Sequence, residues 1–281
     1  MKRRSVLRFL ILVAGVLLLH GGMAPAQQQP APFTILLTND DGYGAPGLNA
    51  LAAALAPLGE VIVVAPAVDQ SGKGHSIVTA SYPILASERR QPNGAVWYAL
   101  DAPPATCARV GLENLLPRRP DVVISGINRG ENLGINVYLS GTLGGAREAA
   151  ILGVPAIAVS ARTASPADYE KSGAYIRQLI EQLRAQQMLK PGLFLNVNVP
   201  AGEIKGVKVT RLSVTPNHEN YERRASPRGR PYFWSRWRPL DDDAEGTDVW
   251  AFARGYIAVT PMIVDVTAYK EMESFRGLEQ K

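Results

Sequence analysis

Thr34-Ile-Leu-Leu-Thr-Asn-Asp-Asp-Gly-Tyr-Gly-Ala-Pro-Gly47 is the stretch that decides how this chain is read. Thr34 to Leu37 is a short apolar run suited to a strand buried on both faces, and it stops abruptly at Asn39, Asp40 and Asp41, three groups that need partners. Gly42 and Gly44 give the backbone freedom to turn. Pro46 suits the first turn of a helix whose Leu48, Leu51, Ala52 and Leu55 recur at helical spacing. Asp-Asp-Gly alone is also an ordinary surface turn. The buried strand in front of it makes the difference, because ligands of open α/β sheets bind beyond the carboxyl ends of the strands. Two adjacent carboxylates at such a mouth repel each other unless a cation sits between them.

Working outward, Val61-Ile-Val-Val-Ala65 is a second buried strand ended by Pro66, so strand, helix and strand form a βαβ unit. The expected fold is α/β, a Rossmann-like, doubly wound and mostly parallel sheet. The next loop, Asp69-Gln-Ser-Gly-Lys-Gly-His-Ser76, lacks the Walker spacing of a phosphate loop, yet it brings Ser71 to the same sheet edge as Asp40. Trp97 to Leu100 is a third strand candidate, and a helix is expected near Cys107 to Leu116. In Asp121-Val-Val-Ile-Ser-Gly-Ile-Asn-Arg-Gly-Glu-Asn-Leu-Gly134 a buried strand again runs straight into polar groups, here Ser125, Asn128 and Asn132. Ser140-Gly141-Thr142 opens a helix running to Leu152, where free N–H groups suit an anion and a hydroxyl serves equally well as a simple cap. Val154 to Ser160, Leu193 to Val199, Val207 to Leu212 and Tyr256 to Thr260 continue the sheet, Tyr169 to Leu189 is an amphipathic core helix, and Ile263 to Tyr269 is a closing segment.

The two ends of the chain read differently from this body. Lys2, Arg3, Arg4 and Arg8 precede an apolar run from Phe9 to Leu19, too short for a span of about 20 residues, and small residues follow at Ala24-Pro25-Ala26. Residues 1–26 are therefore expected to be a secretory signal peptide, with a twin-arginine look at Arg3-Arg4, and residues 27–32 a disordered leader. Export, to a periplasm, is the expected localisation, and a cytoplasmic one is the alternative. Lys and Arg total 30 against 25 Asp and Glu, and losing the four basic residues of the leader leaves 26 against 25. That balance removes the global electrostatic case for nucleic acid. The single cysteine, Cys107, makes no internal disulfide, so about 255 residues must hold together by their core. From 213 to 255, Arg223, Arg224, Arg228, Arg230, Arg236 and Arg238 interleave with Tyr221, Tyr232, Phe233, Trp234 and Trp237, a texture expected of an oligomerisation arm that buries aromatics against another subunit. Asp241 to Asp243 reads as a solvated turn.

The ligand inventory is then Asp40, Asp41, Ser71 and Asn128, all oxygen donors, and with only His75 and His218 beyond the leader there is no histidine cluster for zinc. Oxygen ligands point to one Mg²⁺ or Mn²⁺ per subunit. Such an ion beside an anion-binding helix end suits phosphate-ester hydrolysis, by binding a phosphoryl oxygen and acidifying water. The attacking group is expected to be water, with Asp40 as covalent nucleophile the alternative.

Leu36 to Gly47, Ser71-Gly72, Ser125-Gly-Ile-Asn-Arg-Gly-Glu-Asn-Leu-Gly134, Tyr138-Leu-Ser-Gly-Thr142 and Gly246-Thr-Asp248 together resemble the survival protein E (SurE) family of 5′-nucleotidases. The resemblance runs from about Phe33 to Tyr269, and 33–281 is expected to be one nucleotidase domain. It implies a metal-dependent phosphatase acting on nucleoside 5′-monophosphates, with tolerance for 3′-nucleotides and short polyphosphate. The metal ligands it implies are Asp40, Asp41, Ser71 and Asn128, with Asp40 and Asp41 catalytic. Asn39, Asn132, Ser140, Gly141 and Thr142 are the implied surroundings of the substrate phosphate, and a homodimer or homotetramer the implied assembly. The chain departs from the family at Asp265-Val-Thr-Ala-Tyr269, where family members such as the enteric enzymes end in histidine. A tyrosine with a pKa of about 10 is a poor proton shuttle at neutral pH. The rival reading from another class is a non-enzymatic, exported nucleotide- or phosphate-binding protein on the same sheet.

Overall fold

Ile35, Leu36 and Leu37 are fully buried, and successive side chains enter different cores, as the two-residue period of a strand requires. In the computed structural model, which describes residues 32–279 apart from 81, 92–94, 164, 217–219, 237, 239 and 243, these residues form β1, Thr34–Thr38. The expected signal peptide, nearly all of the leader, His218, Trp237 and Asp243 lie outside the described residues.

In chain order the other strands of the main sheet are β2 (Glu60–Pro66), β3 (Ala86–Arg90), β4 (Val96–Leu100), β5 (Val122–Arg129), β6 (Ala156–Ala161), β7 (Phe194–Val199) and β8 (Val207–Val209). A hairpin of β9 (Asn220–Ala225) and β10 (Pro231–Arg236) stands apart from them, and β11 (Ile257–Pro261) returns to the sheet. The order across the sheet is β3-β4-β2-β1-β5-β6-β7-β11-β8. From β4 to β7 every neighbouring pair is parallel. β3 is antiparallel to β4 and β11 antiparallel to β7. The chain winds outward from β1 through β2 to β4, then restarts beside β1 at β5 and winds the other way. The strand order therefore reverses between β1 and β5, and the crevice at such a reversal is where ligands of this architecture bind.

Helices cover both faces. On one lie α1 (Pro46–Leu55) and the long α4 (Pro166–Ala185), whose Leu48, Leu51, Leu55, Ile176 and Ile180 pack on Ile35 and Leu37. On the other lie α2 (Pro104–Val110) and α3 (Gly141–Ile151), whose Cys107, Leu143 and Ala146 join Leu36 and Val64. A proline opens α1, where a missing N–H costs nothing. Ser165 and Asp168 close a capping box on α4, the Ser165 N–H donating to Asp168 Oδ2 at 2.9 Å.

Three expectations need adjustment. The helix expected near Cys107 begins earlier, at Pro104, and ends in a π turn at Gly111–Leu115. β3 has no counterpart in the sequence reading, because its Ala-Ser-Glu-Arg-Arg shows no apolar alternation and every residue of it is exposed. Among the described residues of the segment 213–255, the hairpin is the part that stands apart from the main sheet. α5 (Asp248–Ala253) returns to the body, where Val249 and Phe252 are buried against Leu133.

Candidate active site and metal centre

Hydrogen bonds stitch three strand ends together at the reversal point. The backbone N–H of Tyr43 donates to Pro66 O at 2.8 Å and that of Gln70 to Asp40 O at 2.8 Å, joining the turn after β1 to the loop after β2. Arg129 N donates to Asp41 Oδ2 at 3.1 Å, joining the same turn to β5. The β5–β6 ladder slips register between Ser125 and Asn128, a bulge that re-aims the end of β5. The N-terminus of α3 closes the site from the other face. A Cβ on Gly141 would lie 2.8 Å from Asp40 Cβ and 2.9 Å from its Oδ2, so only glycine lets the helix end come this close to the carboxylate.

Asp40, Ser71, Asn128, Asn132 and Ser140 line one cavity of about 320 Å³. Asp41 lines an adjoining cavity of about 450 Å³ with Asp69 and Tyr169, and Arg129 lines both. The other expected phosphate neighbours sit behind this surface. Asn39 is fully buried and turns back, its Nδ2 donating to Gly42 O at 2.9 Å. Thr142 is fully buried and its hydroxyl donates to Asp40 Oδ1 at 2.6 Å. Both support the carboxylate turn from behind the cavity wall. Ser140 caps α3, its Oγ accepting from Leu143 N at 3.2 Å, and the same residue lines the cavity. Tyr269 lines neither cavity. It is exposed, and its hydroxyl donates to Asp265.

Burial pushes the Asp40 carboxyl up to about 6, with the Asp41 charge adding to the rise and the Thr142 hydroxyl opposing it. Burial likewise raises Asp41, against the lowering effect of the Arg129 N–H. Two carboxyls held above their ordinary range side by side make a site that a cation would relieve.

The hydrogen bonds around each donor also suit it to a cation. Thr142 occupies one oxygen of Asp40 and Arg129 N one oxygen of Asp41. The Asn128 amide nitrogen donates to Gly130 O at 2.8 Å, which identifies the carbonyl oxygen as its remaining polar end. Ser71 donates its hydroxyl proton to Asp69 Oδ1 at 2.6 Å, so its lone pairs remain available. Each of the four therefore presents an oxygen acceptor, and oxygen donors fit a hard divalent ion.

Sequence reasoning gave no role to the residues that hold this rim in shape, although Asp248 lies in one of the motifs it quoted. Asn132 is fastened through its main chain: its N–H donates to Asn198 Oδ1 at 2.8 Å, and its carbonyl accepts from Asn196 and Asn198 at 2.9 and 3.1 Å. Buried Asp248 accepts from Gly134 N at 2.7 Å and from Ser213 N at 2.9 Å, tying the loop after β5 to the base of the hairpin segment. Glu148, 2 % exposed on α3, holds the loop that carries Ser71 through His75 at 2.8 Å and pairs with Arg109 of α2. Burial alone would raise the Glu148 carboxyl, but the His75 and Arg109 hydrogen bonds and charge outweigh it and hold the group below the usual range. The amides of Asn-Val-Asn on a buried strand were the available signal, since a core strand carries such groups only when they are bonded.

The model of the family described as Survival protein SurE matches residues 35–219. A 5′-nucleotidase SurE of Pelotomaculum thermopropionicum is 44% identical over 247 residues, 87% of this chain and 94% of that protein. The 5′-nucleotidase SurE 1 of Thermus thermophilus is 41% identical over 247 residues, covering 87% and 97%. Among solved structures, the Sure protein from Aquifex aeolicus superposes with a TM-score of 0.75 at 39% identity, covering 88% of this chain and all of that one.

Proposed function

The chain belongs to the SurE family and is a 5′-nucleotidase, a phosphomonoesterase; from that premise we propose that Asp40, Asp41, Ser71 and Asn128 together hold one divalent cation, Mg²⁺ or Mn²⁺. A cation bound there supplies Lewis-acid charge to the phosphoryl group and acidifies water. The protein's own groups do the rest. Ser140, with the N–H of Gly141 at the α3 N-terminus, orients the phosphate of a nucleoside 5′-monophosphate, while Thr142 gives its hydroxyl and its N–H to Asp40, and Asn132, its Nδ2 donating to Ser160 Oγ at 2.8 Å, holds the rim beside them. Asp40, bonded by Thr142 and packed against Gly141, keeps a fixed position toward the phosphorus as water adds there and the nucleoside leaves with its ester oxygen as a hydroxyl. Asn39 acts through the turn it braces. The reading extends to 3′-nucleotides and short polyphosphate as secondary substrates, and to a homodimer or homotetramer joined by the 220–236 hairpin. Export through the segment 1–26 belongs to it too, and no helix among the described residues is long and apolar enough to cross a membrane.

The observation that carries the ligand assignment is the set of four oxygen acceptors, each left open by its own hydrogen bonds, around the strand reversal. Nothing favours a protein that binds nucleotides without hydrolysing them. The test is phosphate release from a panel of nucleoside 5′- and 3′-monophosphates and tripolyphosphate, with Mg²⁺, with Mn²⁺ and with EDTA. Cation-dependent release, fastest from 5′-monophosphates, is expected. Undiminished release in EDTA would sink the metal assignment.

A further inference from the structure

Arg129 follows Asn128 at the end of β5, and its main chain is pinned on both sides. Its own N–H donates to Asp41 Oδ2 at 3.1 Å, and Gly130 N donates to Ala161 O at 2.8 Å while Gly130 O accepts from Asn128. The side chain, by contrast, is exposed and lines both cavities. Four carboxylates line the same two cavities: Asp40, Asp41, Asp69 and Glu131. Glu131 is matched by Arg162, which lines neither cavity. Among the described residues that line them, Arg129 is the one cationic side chain, and no ion pair holds its guanidinium. A phosphomonoester dianion entering this acidic rim therefore meets one exposed positive head on a fixed root. The guanidinium fork matches two phosphoryl oxygens in a way an ammonium cannot.

We propose that Arg129 is a substrate-binding residue whose guanidinium takes the phosphoryl oxygens of the phosphomonoester from the shared wall of the two cavities, a role that rests on the phosphomonoesterase reading of this site. The competing role is a counter-ion for Asp41 and Asp69, both of which feel its charge. The two roles move different quantities. A substrate-binding arginine governs phosphate affinity, and its removal leaves divalent-ion affinity undiminished, since a cation beside Asp41 and Asp69 competes with the metal. A mere counter-ion alters metal affinity and leaves phosphate affinity alone.

The experiment measures inorganic phosphate binding to the Mn²⁺-loaded protein by calorimetry and Mn²⁺ binding by electron paramagnetic resonance, in wild type, R129A and R129K, alongside KM for nucleoside 5′-monophosphates. R129A is expected to weaken phosphate binding and raise KM at least tenfold, with R129K recovering part of the loss and Mn²⁺ affinity no weaker than in wild type. Phosphate affinity within twofold of wild type in R129A overturns the proposal, as does a loss that only follows lost Mn²⁺. A wild-type protein that binds inorganic phosphate through Arg129 but releases none from nucleotides would sink the nucleotidase reading and leave this one standing.

Discussion

At the scale of single residues, Asp40 and Asp41 set the balance between proton and metal. Folding buries Asp40 to 3 % exposure and lifts its carboxyl to about 6, which corresponds to a cost on the order of 3 kcal/mol for keeping it ionised. A group whose folded pKa is raised contributes its stability at low pH and loses it as pH climbs through the folded value. The metal-free protein should therefore lose stability between about pH 4 and pH 6.5, and Mn²⁺ should raise Tm more at pH 7.5 than at pH 5. Differential scanning fluorimetry with and without Mn²⁺ at the two pH values checks this, and equal shifts would show that the pair does not bind the ion. Asp40→Asn should reduce kcat by at least a thousandfold with circular dichroism unchanged, because its neutral amide keeps the shape and loses the charge; substantial retained turnover at full metal occupancy contradicts the role. These residues were legible because each ends an apolar strand. Asn196 and Asn198 were not, and Asp248 stood out only as part of a motif without a role, because a buried amide or carboxylate declares its role only through a partner distant in sequence.

Elements position those residues, and α3 does most of it. Its N-terminus lies on Asp40, and its Glu148 fastens the loop that presents Ser71. Gly141→Ala should push that helix end off the carboxylate, since the added carbon would sit 2.8 Å from Asp40 Cβ. A fall in kcat of at least a hundredfold, with Tm lowered by a few degrees, is expected from steady-state kinetics and thermal melts. Glu148→Ala should cost about 2 kcal/mol, less than a fully buried pair because its partners His75 and Arg109 are partly solvated. Its informative effect is a weaker Mn²⁺ affinity as the Ser71 loop loosens, read by calorimetry; an unchanged affinity would reduce the clamp to plain stability. The parallel strands and α1, α3 and α4 could be read from apolar runs, helical spacing and capping residues. β3 could not, because an edge strand made of Glu88, Arg89 and Arg90 carries the charges that keep a sheet edge from pairing further.

For the whole molecule, the hairpin is the part that does not account for itself. Tyr221, Phe233 and Trp234 are 65 %, 63 % and 60 % exposed, and consecutive aromatics on one strand point to opposite faces, so a two-stranded ribbon cannot hide them alone. Each is worth about 2 kcal/mol if covered by another subunit. If the proposed dimer or tetramer is joined by the hairpin, the double variant F233S/W234S should be monomeric in light scattering after gel filtration, and a mass unchanged from an oligomeric wild type would remove the hairpin from the interface. Those aromatics were visible in the sequence as a group, whereas the return of Val249 and Phe252 to the body was not, because a helix of six residues leaves too short a pattern. The fastening of the loop after β5 by Asn198 and then by Asp248 has a consequence for how the molecule is born. A nascent chain already carries all four proposed ligands once Asn128 has emerged, yet the carboxylate that anchors Gly134 arrives more than a hundred residues later. Competence should thus switch on near the end of synthesis, and a fragment halted between β7 and α5 should be a folded sheet with an unset active rim.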